Sequence, residues 1–249
     1  MRILRLFRFH AWYGRGELDA EALRAAAVEK SGLAQLSGER VQKEVLKLLE
    51  ADDPAPVLRV MAASGILAEL LPGALNIPRL EHLARIEGDA FFAPDAVLRL
   101  AALLPPDPGA AAALAERLKL SNKDRERLED LAAAREKIVA YLSVKEMRKA
   151  LYYRLGAARF KDRVFLKWAE DPKESNSVQW RMMLAVADAW ERPRFPLTGR
   201  EVMLAGVPQG PLIGRILEEV EDWWIDADFI EDEFSLAERL KAVVQATAY

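Results

Sequence analysis

Three arginines open the chain at every third position, Arg2, Arg5 and Arg8, and nearly all their neighbours are apolar: Ile3, Leu4, Leu6, Phe7, Phe9, Ala11 and Trp12. A guanidinium is a planar fork of N–H donors that matches a carboxylate or a phosphate two bonds at a time. On a helix, a step of three residues falls about 60° short of a full turn, so these side chains fan across roughly 120° of one side. Such a helix cannot lie bare in water. Its apolar surface needs cover, and partly buried arginines need carboxylates or phosphates beside them. The residues alone allow an ordinary core helix with three snorkelling arginines, or a helix whose arginines meet an anion. A helix that begins at residue 1 with this demand is expected to have its natural neighbour earlier in a longer chain.

Two other stretches carry charge in a pattern. From Lys145 to Lys167 eight basic residues, Lys145, Arg148, Lys149, Arg154, Arg159, Lys161, Arg163 and Lys167, meet only Glu146 and Asp162, a local charge of +6, with Tyr152, Tyr153, Phe160 and Phe165 interleaved. Basic side chains neutralise phosphates and aromatic rings stack on bases, so the stretch is a candidate RNA contact, with Lys145, Arg148, Lys149 and Arg154 as its leading residues. The same pattern equally describes two amphipathic helices with solvated charges and core aromatics. From Glu218 to Glu233 nine acids meet no Lys or Arg. That block repels RNA, and it has no compact loop of spaced ligands that would make it a metal site. Trp223 and Trp224 within it read as core. In Gly206-Val207-Pro208-Gln209-Gly210-Pro211-Leu212-Ile213-Gly214, Pro211 suits the first turn of a helix. Gly210 and Gly214 there permit a phosphate near free helix N–H groups, or a tight turn with close helix packing.

Composition excludes much other chemistry. The chain has 249 residues, 36 Lys and Arg against 39 Asp and Glu, a formal net charge of −3, and 51% hydrophobic residues. This is a globular composition with ample core. The absence of cysteine removes disulfides, thiolate zinc sites, iron–sulfur clusters and cysteine nucleophiles. His10 and His82 give a histidine metal site or a two-histidine catalytic scheme almost nothing to draw on. No apolar run approaches the roughly 18–20 residues that span a bilayer. The Arg-rich, acid-free start up to Glu17 superficially resembles a transit peptide, while its arginines interrupt any secretory core. A soluble, cytoplasmic chain with no membrane partner is expected.

The elements that position these residues are helices. Val41, Val45, Leu48 and Leu49 form one stripe, with Glu39, Arg40, Lys43, Glu44 and Lys47 mostly off it. Ser143-x-x-Glu146, Thr198-x-x-Glu201 and Ser235-x-x-Glu238 have the capping-box pattern, and Ser121 with Asp124 a weaker form. Breakers fall at Asp53-Pro54-Ala55-Pro56, Pro72-Gly73, Pro105 to Gly109, Asp171-Pro172 and Arg192 to Pro196. The spacing predicts an all-α chain of roughly a dozen short helices in consecutive subdomains, with soft boundaries near residues 60 and 140.

Arg2-Ile3-Leu4-Arg5-Leu6-Phe7-Arg8-Phe9 resembles the segment that follows Glu-Asp in class II CCA-adding tRNA nucleotidyltransferases and bacterial poly(A) polymerases, Glu-Asp-x-x-Arg-x-x-Arg-x-x-Arg-Phe. Leu36 to Val45 resembles the family's Ser-x-Glu-Arg-Ile-x-x-Glu-Leu, and Met61 to Pro72 its Met-x-x-x-Gly-x-Leu-x-x-x-Leu-Pro. These motifs cover about the first 75 residues. Farther on, Gly206 to Gly214 is similar to the family's Gly-x-Pro-x-Gly-Pro-x-x-Gly. Leu98 to Leu104 resembles the helix before the His-Asp pair of metal phosphohydrolases, but Pro105-Pro106 follow and no His-Asp occurs, which speaks against that activity.

The family resemblance implies a neck over 1–60, a body over 61–140 and a tail over 141–249, the last a candidate for holding RNA. It implies that Arg2 reads the Watson–Crick edge of an incoming CTP or ATP, that Arg5 and Arg8 contact nucleotide or support the pocket, and that Glu39 and Arg40 brace the neck as a buried pair. The Glu-Asp pair and the catalytic head, with its phosphate loop and Asp-x-Asp metal ligands, are not in this sequence. Hence no catalytic residue, metal or cofactor is expected within it, and the chain alone is expected to be inactive. CTP or ATP with Mg²⁺, the N-terminal head, and tRNA or another RNA 3′ end are the partners implied for the whole enzyme. The alternative is a stand-alone helical RNA- or protein-binding module with no enzymatic parent.

Overall fold

The computed structural model describes residues 1–71, 73, 75–229 and 232–247; of Arg154 it describes the backbone alone. Pro72 of the third motif and Glu231 of the acidic block lie outside the described residues. Among the described residues there are fifteen α-helices, three short helical turns of other pitch and no strand, which makes the chain all-α with somewhat more helices than the periodicity suggests.

Contacts divide the chain into two compact units, one of residues 1–140 and 162–180, the other of 141–161 and 181–249. The first unit holds α1 (Arg2–Tyr13), α2 (Ala20–Val28), α3 (Gly38–Leu49), α4 (Ala55–Ala63), α5 (Ile66–Leu70), α6 (Ile77–Asp89), α7 (Ala96–Leu103), α8 (Pro108–Arg117) and α9 (Asn122–Ala132). The second holds α10 (Val144–Ala150), which runs into a single π turn (Leu151–Leu155), then α13 (Gly199–Leu204), α14 (Pro211–Asp226) and α15 (Glu233–Thr247). The intervening α11 (Gly156–Glu170) and α12 (Ser177–Asp188) each contribute residues to both units. These units are drawn by contact, whereas neck, body and tail are drawn by expected role.

Local chemistry accounts for the helix ends. Asp19, Asn76, Asp95, Asp107 and Ser121 accept from free N–H groups at the starts of α2, α6, α7, α8 and α9. The capping boxes at Ser143 and Thr198 both close. The one expected at Ser235 does not begin its helix. Asp232 accepts from the backbone N–H groups of Phe234 and Ser235 instead, so α15 starts earlier. Gly65 stands between α4 and α5 at φ 71°, a left-handed conformation that side-chain-bearing residues resist, which explains the glycine of the third motif.

In the first unit, α7 is buried from Val97 to Leu103 and forms the centre, with Leu4, Phe7, Val45, Leu48, Leu80 and Leu83 among the core residues. The second unit is built on an aromatic cluster. Tyr152, Trp224 and Phe229 lie with ring centroids 5.1–5.8 Å apart, above Val202, Ile216, Val220 and Leu236.

Candidate nucleic-acid interface

The first unit presents α1 on a stack of helices, α1 on α3 and α3 on α7. The last carbonyls of a helix have no intrahelical donors, and here α3 finds them on its neighbours. Trp12 Nε1 of α1 donates to Lys47 O at 2.6 Å. Arg99 Nη1 of α7 donates to Leu49 O and Ala51 O at 2.6 and 2.5 Å. Arg99 Nε donates to Glu87 Oε2 at 2.6 Å, and the two side chains are 1% and 2% exposed. Burial pushes the Glu87 carboxyl above its ordinary range, while the charge and hydrogen bonding of Arg99 pull it down. One buried arginine therefore ties α7, α6 and the end of α3 together.

Glu44 on α3 accepts from Arg8 Nε at 2.6 Å, with the side chains 10% and 19% exposed respectively. Arg8 thus spends its charge on a brace between α1 and α3. Arg2 and Arg5 remain exposed, and Phe9, Trp12 and Tyr13 beside them are 43%, 39% and 71% exposed. At ~100° per residue these five positions occupy an arc of about 100° on α1, opposite the buried Leu4 and Phe7. The Arg5 guanidinium stands 5.5 Å from the Phe9 ring centroid, and Lys47 Nζ 5.0 Å from that of Trp12. Exposed guanidinium forks beside ring faces are what stacking on a base and pairing with its edge or phosphate require.

The brace differs from the one expected. Glu39 and Arg40 are both exposed in the first turn of α3, so they do not form a buried pair. Hydrogen bonds from its own backbone N–H and from Ser37 hold the Glu39 carboxyl below its ordinary range, as suits an acid at a helix start. The buried acid is Glu44. Its position, three residues after Val41 and four before Leu48, puts it on the core stripe, and that spacing is the signal the sequence offers. Arg99 is likewise a lone charge in an otherwise apolar helix, a pattern that marks burial.

The stretch from 145 to 167 is not a free basic surface. Arg148 Nη1 donates to Asp228 Oδ2 at 2.9 Å and Lys149 Nζ to Asp226 Oδ1 at 2.5 Å. Tyr152 Oη donates to Glu221 at 2.5 Å, and Tyr153 Oη donates to Asp222. Burial and the bond to Glu221 push the Tyr152 phenol up to about 12. The acidic block is thus the partner of the basic stretch. Beyond these, Lys161 pairs with Asp188 at 2.6 Å and Lys167 with Glu170 at 2.8 Å. Arg163 is buried against Asp130 and Glu136. Tyr152 and Phe160 are core, and Phe165 packs edge-on to Phe92 at 5.0 Å. Lys145 is exposed. The side chain of Arg154 lies outside those described. Gly210 and Gly214 are exposed, and a Cβ at either would meet nothing within 4 Å, so neither marks a close helix contact.

The scaffold is thus an all-helical one that turns an arginine–aromatic face outward, a candidate nucleic-acid interface. Residues 17–77 match the family described as the probable RNA- and SrmB-binding site of polymerase A. Over 255 aligned residues the chain is 25% identical to the mitochondrial CCA tRNA nucleotidyltransferase 1 of Mus musculus, covering 97% of this chain and 55% of that protein. Among solved structures, the Thermotoga maritima CCA-adding enzyme complexed with tRNA superposes with a TM-score of 0.63 at 21% identity, over 100% of this chain and 61% of that one. A CCA-adding enzyme in complex with ATP superposes at 0.61 and 18% identity, over 100% and 60%. These structural likenesses show a shared fold. In sequence, too, the chain is similar to CCA-adding enzymes along nearly its whole length. It spans about half the length of the curated relative it matches.

Among the described residues no helix is long and apolar enough to cross a membrane, and no group of three or more His, Asp or Glu is placed to hold a metal ion.

Proposed function

We propose that this chain is the RNA- and nucleotide-binding helical region of an enzyme that adds CMP and AMP, or AMP alone, to RNA 3′ ends. The observation that carries the reading is the outward face of α1, where Arg2 and Arg5 stand free of the Arg8–Glu44 brace beside Phe9, Trp12 and Tyr13. In this reading Arg2 pairs with the edge of the incoming base through its planar fork, and Arg5 meets nucleotide or phosphate. The neck, body and tail division is carried over as one of roles, with RNA held along the chain and the head domain as the partner that performs transfer. That head would supply the carboxylates for Mg²⁺. In this reading the chemical step belongs to that head. The relative from mouse bears a mitochondrial name; the cytoplasmic assignment of this chain is part of the proposal.

The test is tRNA binding by the purified chain across a salt series. Replacing Arg2 and Arg5 by Ala is expected to weaken binding and lower the salt slope by roughly 0.7 for each phosphate of a single-stranded 3′ end that is no longer neutralised. Unchanged affinity and slope would overturn the reading in favour of a stand-alone helical module. Labelled CTP or ATP is expected not to enter tRNA with this chain alone, and appreciable incorporation would contradict the placement of the transfer chemistry in the head.

A further inference from the structure

The outer side of α3 carries a row of cations that the reading of α1 leaves unused. Arg40, Lys43 and Lys47 are all exposed. At ~100° per residue they fall within an arc of about 60°, and they rise about 10 Å from first to last. Arg40 and Lys43 have no acidic partner among the described residues. Lys47 pairs with Glu50 at 2.6 Å, a surface pair worth little that a phosphate can replace.

Two contacts fix how this row stands beside α1. Arg8 meets Glu44 and Trp12 meets Lys47 O, so the residue numbers rise together and the two helices run in the same direction. Arg40 and Lys43 therefore stand level with the stretch from Arg5 to Arg8, and Lys47 with Trp12. The Trp12 ring is held in place. Its Nε1 donates to Lys47 O at 2.6 Å, and Lys47 Nζ stands 5.0 Å from its centroid, yet the residue stays 39% exposed. Tyr13 lies 6.3 Å from that ring at 45°, and Phe9 lies 6.1 Å from Tyr13, so the three rings form one outward patch. Contiguous exposed apolar surface of this kind marks a binding face.

We infer that this two-helix surface holds the single-stranded 3′ end of the RNA, with bases stacked on Trp12 and Tyr13 and phosphates neutralised by Arg40 and Lys43. The combination selects a single strand. Rings stack on bases freed from pairing, and cations beside them track the backbone without reading sequence. An acidic peptide would satisfy the cations and leave the rings bare. An apolar peptide would cover the rings and strand the cations. The direction of the strand rests on the reading proposed above, in which Arg2 meets the incoming nucleotide, so the strand's last nucleotide lies toward the start of α1. Ten residues separate Arg2 from Trp12. That is about 15 Å along the helix, room for about four stacked nucleotides at ~3.4 Å each. The rings thus meet nucleotides set back from the 3′ terminus, not the one being added.

The probes are a single-stranded hexaribonucleotide and a blunt-ended RNA hairpin, each titrated into the full chain and followed by tryptophan fluorescence and calorimetry. The hexamer is expected to bind saturably with quenching, and more tightly than the hairpin. Trp12→Phe keeps a stacking ring and is expected to bind the hexamer with most of the quench gone. Tyr13→Ala, at a position 71% exposed, is expected to lower hexamer affinity about fivefold or more, and Tyr13→Phe to bind like the parent. That rescue separates stacking from fold. Lys43→Ala is expected to lower the salt slope by roughly 0.7, the share of one single-strand phosphate. No saturable hexamer binding, equal binding of hexamer and hairpin, or a full quench in Trp12→Phe would overturn the inference. So would parent-like affinity in Tyr13→Ala or a parent-like slope in Lys43→Ala. The two readings fail apart. If the reading of Arg2 and Arg5 fails, their double Ala variant binds tRNA like the parent while the Tyr13 and Lys43 effects on the hexamer persist. If the ring and cation surface fails, the double variant weakens tRNA binding and the Tyr13 and Lys43 variants behave as the parent.

Discussion

Two regions of this molecule carry arginines and aromatics at similar density, and they use them in opposite ways. On α1, the bracing is done by a few groups, Glu44 on Arg8 and Trp12 on the end of α3, which leaves Arg2, Arg5 and most of the Tyr13 surface facing outward. Along 145–167 most of the charges are spent on acids of the same chain, several of them in pairs at the surface. Arg148, Lys149, Tyr152 and Tyr153 are each matched to an acid of the 221–228 segment, and the most buried ring of these, Tyr152, sits in the aromatic cluster. The local charge of a segment counts what it carries, not what it offers. What it offers is set by the segment it folds against, and a +6 stretch whose basic residues face acids offers little uncompensated positive charge.

The comparison breaks most forcefully at Arg99. The outward face of α1 depends on α3, and the end of α3 depends on Arg99. Arg99→Ala strips three hydrogen bonds and leaves the buried Glu87 carboxylate without its cation, so a loss of about 3–5 kcal/mol in urea unfolding is expected. Replacing Glu87 and Arg99 together by Leu and Met is expected to recover part of it, because the stranded charge is removed. A single-variant loss below about 1 kcal/mol would mean that the pair does not hold the stack together.

A smaller effect sharpens the contrast from the other side. Arg148→Ala with Lys149→Ala removes two positive charges from the stretch that composition marks as an RNA contact. Because both are already paired with acids, and those pairs are partly exposed, stability should fall only slightly. The salt slope of tRNA binding should stay within error of the parent, whereas replacement of Arg2 and Arg5 should flatten it. A slope that falls as much for the 148/149 pair as for the α1 pair would mean that RNA displaces the acidic block, and the distinction between the two regions would be lost.

Much of the architecture is legible in the sequence because it is local. Period-3.6 stripes, the boxes at Ser143 and Thr198 and the proline breaks at 53–56, 105–109, 171–172 and 192–196 act within one turn of chain, and each appears as read. The site is only half legible. The arginines of α1 announce themselves by spacing, but the choice of Arg8 as brace rather than reader needs Glu44, 36 residues away. Charged residues read as surface, so Glu44 falls off the stripe in a sequence reading although its spacing places it there. Glu39 and Arg40 belong to the motif yet sit in an exposed first turn. The Ser235 box fails because Asp232, three residues earlier, starts the helix first, accepting from the N–H groups of Phe234 and Ser235 and from the Ser235 hydroxyl itself. The partners of Arg148 and Lys149 are 80 and 77 residues distant, and no periodicity links them.

The gentlest test of the contrast is pH. A hydrogen bond from Lys149 Nζ, together with the Lys149 charge, holds the Asp226 carboxyl below its ordinary value. A carboxyl whose folded value is depressed binds its proton more readily in the unfolded chain. Its contribution to stability is therefore fully present above the ordinary aspartate range and is lost as pH falls through the depressed value. Asp226→Asn lacks that contribution at every pH. The melting temperatures of the parent and of this variant should differ slightly near neutrality and converge below the depressed value, and added salt should narrow the neutral gap because the pair is exposed. Glu87 has the opposite sign. Its raised carboxyl favours the folded state at low pH and costs stability as pH rises past the ordinary glutamate range. A variant at Glu87 should therefore diverge from the parent in the direction contrary to Asp226→Asn, and two variants that titrate alike would show that burial does not separate these two kinds of ion pair in this protein.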